Sequence, residues 1–325
     1  MHSPTRRLAP VPSGGARGPY RWHSLAAVCL LAAGQLAAPA AERCEAPTGP
    51  DVWAVSSRGG GDPTERVQHY VPGQGWERSD AGALFDGDGR TLVLLVHGNR
   101  YEHADALDQA LRLARWLGTC ADGTRPAPRV VAYSWPSDKQ GTPLRDSRRK
   151  YERASLEVRR FAGLLERIEP QRPVGIVGYS YGALVALGGL AARVGADGNA
   201  AGGPRGWALR ESPVNLVLVA AAVRCDALAP AGPYRSAAAI VDRVVLLNNS
   251  SDIALRFFPW VDRGLETDAL GRVGMPARWL PEGVEFRQYD AADAVGVSHR
   301  FLGYLESAGV ARRLCAGLVD GAAAE

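Results

Sequence analysis

The sequence predicts an α/β fold built on a doubly wound, mostly parallel sheet. Two observations predict it. Apolar runs such as Thr91-Leu-Val-Leu-Leu-Val and Arg243-Val-Val-Leu-Leu have the composition of strands buried on both faces. Stretches of helical periodicity separate them, and strand–helix alternation of this kind builds a parallel sheet with helices on both sides. In such sheets ligands bind beyond the carboxyl ends of the strands.

The elements follow in order. Asp51-Val-Trp-Ala-Val-Ser-Ser-Arg58 reads as a first strand ending in the glycine run Gly59 to Gly61, and a variable stretch continues to Arg90. The strand Thr91 to His97 comes next. Ala104 to Leu117 reads as a helix with Leu107, Leu111, Ala114 and Leu117 on one face and Glu102 and Asp105 near its N-terminus. Arg129 to Trp135 is a strand, and Glu152 to Ile168 a helix with Phe161, Leu164, Leu165 and Ile168 inward. The basic run Arg145, Arg148, Arg149, Lys150, Arg153 reads as the solvated face of a helix start. Arg172 to Val177 is a short buried strand, Ala183 to Arg193 a helix, and Gly195 to Ser212 a loop or insertion. Strands recur at Val214 to Ala220, Arg243 to Asn248 and Val284 to Asp290, and His299 to Ala308 looks helical. There is no internal repeat.

The chain has 325 residues, 46% of them hydrophobic and 22% charged, as in an ordinary globular enzyme. Its net charge of +4 comes from Arg6, Arg7, Arg17 and Arg21, which precede residue 41 without a single acidic residue among them. The remainder is balanced and carries no basic stripe interleaved with aromatics, which gives nucleic-acid binding no support. The basic start leads into the apolar run Leu25 to Ala38 and the small-residue site Ala38-Pro39-Ala40, the pattern of a secretory signal. The expected organisation is a signal peptide over residues 1–40 and one α/β domain over 41–325, with room for a small cap within 253–283. The protein is then exported, periplasmic or extracellular, and meets the membrane only transiently through that signal; an uncleaved N-terminal anchor is the alternative. Cys44, Cys120, Cys225 and Cys315 would remain in an oxidising compartment, an even number that permits up to two disulfides in three possible pairings. None forms a CxxC pair, so no zinc site is expected.

The chemistry is concentrated at Gly178-Tyr-Ser-Tyr-Gly182, between a strand and a helix. A serine between glycines at that junction is a nucleophile elbow: the turn is sharp and strained, and it holds the hydroxyl above the sheet edge at a helix N-terminus. A serine hydroxyl needs a base, and the base a third group that fixes its tautomer. In the chain order serine, acid, histidine, only His299 lies downstream of Ser180. Asp252, directly after the Arg243 to Asn248 strand, is the favoured acid. Asp226 sits after the preceding strand, and Asp290 and Asp293 near His299; Asp226 remains the main alternative. The tetrahedral oxyanion needs two donors. Tyr181 N–H, after the nucleophile, is one, and Asn99, in the turn His97-Gly98-Asn99-Arg100, is the expected other. His97 is read as a ring packed to organise that turn.

Leu95-Val-His-Gly-Asn-Arg100, followed by an amphipathic helix, resembles the HG oxyanion turn of the α/β-hydrolase superfamily. Val131-Ala-Tyr-Ser-Trp-Pro-Ser-Asp138 resembles the Trp-Pro-Ser strand end of a bacterial branch of uncharacterised α/β-hydrolases, and Asn248-Asn-Ser-Ser-Asp-Ile-Ala-Leu255 is similar to its acid segment. Val55-Ser-Ser-Arg58 looks like that branch's first strand end. The chain departs from the pattern at Ala220 to Asp226, where an Asp-rich element is usual, and where Asn99 directly follows Gly98. The resemblance spans roughly residues 52–308 and implies the α/β-hydrolase fold with Ser180, Asp252 and His299 as the triad.

The expected activity is that of an exported serine hydrolase, a carboxylic-ester hydrolase acting through an acyl-enzyme on a small-molecule ester or acyl substrate, without cofactor or metal. Two alternatives share the sequence features: an acyltransferase using the same triad, and a non-catalytic hydrolase fold kept for binding or envelope association. Phe257, Phe258, Trp260 and Trp279, between the acid and the histidine, are read as core packing in preference to an acyl pocket.

Overall fold

The apolar runs form the centre of a single sheet. The structure is a computed structural model that describes residues 49–86, 88–120, 126–194, 207, 210–261 and 267–319. All of these fall in one unit, Ala46–Glu325, while the expected signal segment and Cys44 lie outside the described residues. In chain order the strands are β1 (Val52–Ser56), β2 (Val67–Val71), β3 (Gly75–Ser79), β4 (Leu92–Val96), β5 (Arg129–Ser134), β6 (Val174–Tyr179), β7 (Val214–Val219), β8 (Arg243–Asn248) and β9 (Glu285–Asp290). They are ordered β3-β2-β1-β5-β4-β6-β7-β8-β9. The β1–β2 and β2–β3 pairs are antiparallel, and every other pair is parallel. Every residue of β4, β5, β6 and β7 is buried, which is why these strands read as continuous apolar sequence.

The helices are α1 (Ala81–Phe85), α2 (His103–Cys120), α3 (Pro143–Glu166), α4 (Gly182–Val194), α5 (Leu270–Val273), α6 (Ala292–Val295), α7 (Phe301–Glu306) and α8 (Ala308–Leu318). α3 packs on α4, and α2 packs on α7 and α8, so the two groups cover the two faces of the sheet. Among the described residues no helix is long and apolar enough to cross a membrane.

Three readings of the sequence are corrected here. The stretch to Arg90 holds the antiparallel hairpin β2–β3 and the short α1; β3 is the edge of the sheet and β2 lies next to it, and both are largely half-exposed and lack an apolar run. α3 begins at Pro143, well before Glu152, with Thr142 as its N-cap and proline in the first turn, where the missing N–H is not needed. The basic run therefore lies inside this helix, and Lys150 is not solvated: it is buried, with Nζ 3.3 Å from Asp146 Oδ1 and 2.5 Å from the carbonyl of Asp138. Of the expected loop Gly195 to Ser212, residues 195–206 and 208–209 lie outside the described residues. Trp207 is buried and donates its Nε1–H to the Leu165 carbonyl at 2.7 Å.

Cys120, at the end of α2, is bridged to Cys315 in α8, with Cα atoms 6.3 Å apart, and Cys225 is free. The bridge joins two helices on one face across a sequence separation of 195 residues, and a disulfide of this kind fits an oxidising compartment. Closing so long a loop removes much freedom from the unfolded chain. Reduction, or Cys120→Ser, is expected to cost about 2–5 kcal/mol, read as a lower urea midpoint with unchanged native circular dichroism. An unchanged midpoint would show that the bridge adds nothing.

Candidate active site

Ser180 sits between β6 and α4 with φ of 53°, a left-handed conformation that costs a non-glycine residue about 1–3 kcal/mol. Its backbone is held on both sides. Ser180 N donates to Val219 O at 3.0 Å, and Ser180 O accepts from Ala183 N and Ala222 N, each at 3.1 Å. The two flanking glycines have different neighbours. A Cβ on Gly182 would lie 1.9 Å from the carbonyl oxygen of Val96, and one on Gly178 would lie 2.8 Å from Ala183 Cα. The elbow is thus pressed against the C-terminal end of β4. Gly98 closes the same contact from the other side, since a Cβ there would meet Ser180 Cβ at 2.8 Å.

His299 reaches Ser180 from the turn before α7. Its Nε2 is 2.8 Å from Ser180 Oγ, and its Nδ1 is 2.6 Å from Asp252 Oδ2. The carboxylate accepts, so Nδ1 carries the proton and Nε2 is left to accept from the serine hydroxyl. The Asp252 side chain is fully buried, and its other oxygen accepts from the backbone N–H of Ala254 at 2.9 Å and of Leu255 at 3.0 Å. The structure thus brings Ser180, His299 and Asp252 together and leaves the other acids elsewhere. Asp226 pairs with Arg224 at 2.8 and 2.5 Å, and Asp290 caps the backbone of Ser250 and Ala292. Asp293 is exposed on α6.

Two groups that sequence reasoning did not assign hold the histidine. Asn249 is fully buried; its amide donates to Gly296 O at 2.8 Å and Ser298 O at 3.4 Å, while its backbone carbonyl accepts from Asp252 N at 3.2 Å. It therefore ties the acid turn to the histidine turn. Tyr179, one residue before Ser180, donates its hydroxyl to the carbonyl of His299, and their ring centroids are 5.4 Å apart. A neighbouring position in the motif was the only sequence signal for Tyr179, and Asn249 had only its place beside the acid.

The turn after β4 is held from β5. The Trp135 ring stacks on His97 with centroids 5.6 Å apart, its Nε1–H donates to His97 O at 2.8 Å, and its backbone N–H donates to His97 Nε2 at 3.2 Å. His97 Nδ1–H in turn meets Gly98 O at 2.9 Å. Ser137 accepts from Arg100 N with its carbonyl at 2.8 Å and donates its hydroxyl to Tyr101 O at 3.0 Å. Asn99 Oδ1 accepts from Arg100 N at 2.8 Å. The backbone N–H groups of Asn99 and Tyr181 donate to no other described residue. His69 and His103 are engaged elsewhere: His69 stacks on Trp53 at 4.3 Å, and His103 bridges Ser134 and Gln68 at 2.8 and 2.7 Å.

A cavity of about 350 Å³ opens beside Ser180. Its walls include Leu144 from α3, Tyr181, and Leu255, Phe257, Phe258 and Trp260 from the 3-10 turn Leu255–Trp260. Three of the four aromatics read as core packing therefore face this space, and Phe258 is also part of the core; Trp279 packs against the core and does not line the cavity. The 3-10 turn lies within 253–283, the stretch expected to hold a small cap; residues 262–266 of it lie outside the described residues. Among the described residues no cluster of His, Cys, Asp and Glu could hold a metal ion.

Burial holds His97 neutral down to about pH 3, against an ordinary value of 6.5. The unfolded chain takes up that proton near pH 6.5, so between the two values it binds more protons than the folded protein. Stability should therefore fall as pH drops through this window, by up to ~1.4 kcal/mol per pH unit from this group. Urea midpoints at about pH 7 and about pH 4.5 are expected to diverge more in the wild type than in His97→Gln. Equal divergence would show that His97 does not carry the acid sensitivity.

A family model described as the alpha/beta hydrolase family matches residues 93–323. Comparison with curated proteins and with solved structures returns no match. The matched span runs from β4 past α8 and takes in each strand end that meets at Ser180, together with β4 to β9, the all-parallel part of the nine-stranded sheet. On that span, more than half of its length, the chain belongs to the alpha/beta hydrolase family.

Proposed function

We propose that the protein is an exported serine hydrolase that cleaves a carboxylic ester through an acyl-enzyme. The observation that carries this reading is the continuous hydrogen-bonded line from Asp252 through His299 to Ser180, at 2.6 and 2.8 Å. Ser180 Oγ attacks the ester carbonyl carbon as its proton passes to His299 Nε2. The tetrahedral oxyanion is received by the N–H groups of Tyr181 and Asn99, whose lack of other described partners supports the assignment. His299 returns the proton to the departing alkoxide, and the alcohol leaves. Water then attacks the acyl-enzyme, again giving its proton to His299, and the carboxylic acid departs as Ser180 recovers its hydrogen. Asp252 stays ionised throughout, fixing the tautomer and stabilising the imidazolium. Export is supported by the N-terminal signal pattern and by the Cys120–Cys315 bridge.

The apolar walls of the cavity fit an aliphatic acyl group. Each methylene entering it contributes up to ~0.8 kcal/mol, so kcat/KM should climb severalfold per methylene along a series from acetyl to octanoyl esters and level off once the cavity is filled. A flat series would remove the acyl-pocket assignment. Ser180→Ala should lower kcat by about 10⁴-fold or more, and Asp252→Asn by about 10⁴-fold with the fold intact. A fluorophosphonate probe should label Ser180 in the folded protein; no label, or equal turnover by Ser180→Ala, would end the serine mechanism.

A further inference from the structure

Large apolar side chains exposed to water are few among the described residues, and they are not scattered. Of seven, five gather around the cavity beside Ser180. Leu144, Phe257 and Trp260 line it. Ile253 precedes the lining residue Ala254, and its N–H donates to the carbonyl of Val297, two residues before His299. Trp260 is 62% exposed and Val297 63%. These side chains are held in place: Arg148 donates to the Trp260 carbonyl at 3.1 and 2.8 Å, and the Phe257 and Trp260 rings lie 5.3 Å apart. Exposed apolar side chains grouped at the mouth of a cavity in this way mark an interaction surface.

The charges on the same segments have one sign. Across residues 143–149, 251–261 and 296–300 the exposed charged side chains are Arg145, Arg149, Arg256 and Arg300. Both carboxylates in these segments are buried in pairs, Asp146 with Arg100 and Lys150, and Asp252 with His299. Arg145, Arg149 and Arg256 have no side-chain partner among the described residues.

We propose that this rim seats the mouth of the cavity on an anionic lipid surface. Trp260, Phe257, Leu144, Ile253 and Val297 enter the boundary between headgroups and acyl chains, a position suited to a tryptophan that is apolar with one polar edge. The four arginines meet anionic headgroups. Lipid is favoured because the rim is continuous with an apolar cavity: an acyl chain can pass from bilayer to Ser180 without crossing water. The substrate is then an acyl ester resident in that surface. This last step rests on the ester-hydrolase reading, whereas the docking does not.

The test is co-sedimentation of the full chain, as Ser180→Ala so that nothing is turned over, with vesicles of equimolar phosphatidylcholine and phosphatidylglycerol and with vesicles of phosphatidylcholine alone. Partition onto the anionic vesicles should fall by about tenfold or more in the exposed-position variant Trp260→Ser with Phe257→Ser. Arg145→Ser with Arg256→Ser should erase the preference for anionic vesicles and its salt dependence. Failure to partition onto anionic vesicles overturns the proposal. So does undiminished binding by the Trp260/Phe257 variant, because it places the lipid contact elsewhere in the chain, such as the apolar run Leu25 to Ala38. Absence of turnover in the wild type with vesicle binding intact would instead sink the ester-hydrolase reading and leave the docking standing.

Discussion

The candidate site depends on one close backbone contact, between the elbow after β6 and the turn after β4. The parallel pairing of β4 with β6 sets Val96 opposite Gly178, so both strands end at the same level. The chain leaving β6 must then turn directly over the end of β4, with the Val96 carbonyl where a side chain at 182 would stand. Only glycine fits there, and Gly98 meets the same demand on the facing side. This contact brings the turn that carries Gly98 and Asn99 against the serine of the elbow. The strain at Ser180 is sustained because its N–H and carbonyl are both bonded to the end of β7 and the residues that follow it.

The turn after β4 is braced from the end of β5. Trp135 brackets His97 with a stacked ring and two hydrogen bonds, and Ser137 holds Arg100 and Tyr101. The Trp-Pro-Ser run at this strand end thus has a physical role: it is a brace for the loop that carries Asn99. His97 is suited to the brace because a neutral ring both donates and accepts, and its burial keeps it neutral.

The sequence displayed the parts of this arrangement that are local. β4, β6 and β8 are apolar runs with a turn behind them, and chain order left only His299 as the base for Ser180. β2 and β3 were invisible because strands in the partly exposed hairpin at the sheet's margin, such as the edge strand Gly75-Trp-Glu-Arg-Ser, carry neither an apolar run nor clean alternation. Choosing Asp252 over Asp226 took a distance: both follow strands, and only the fold shows that Arg224 has claimed the second. The cavity was equally illegible, since its walls come from the start of α3 and from residues 255–261, which are more than a hundred positions apart. Aromatics between an acid and a histidine have the same composition whether they fill a core or line a pocket.

The start of α3 is what joins the cavity to the rest of the molecule. Lys150, one of only two lysines in the sequence, is buried and bonded to Asp146 and to the carbonyl of Asp138. Asp146 also accepts from Arg100 at 3.0 Å, and Asp138 accepts from Arg58 at 2.6 Å. Arg58 reaches on to Ser134 and to the carbonyl of Tyr101. The end of β1, the end of β5, the turn after β4 and the first turns of α3 therefore share one charged network beneath the site. A buried cation is retained only where its donors are satisfied, and here the satisfied geometry fixes Leu144 and Arg148 relative to Ser180. From the same turns of α3, Arg148 reaches the opposite wall at the Trp260 carbonyl. The apolar walls are thus positioned by polar bonds at their base, which lets Phe257 and Trp260 stay exposed above without needing a core of their own to hold them.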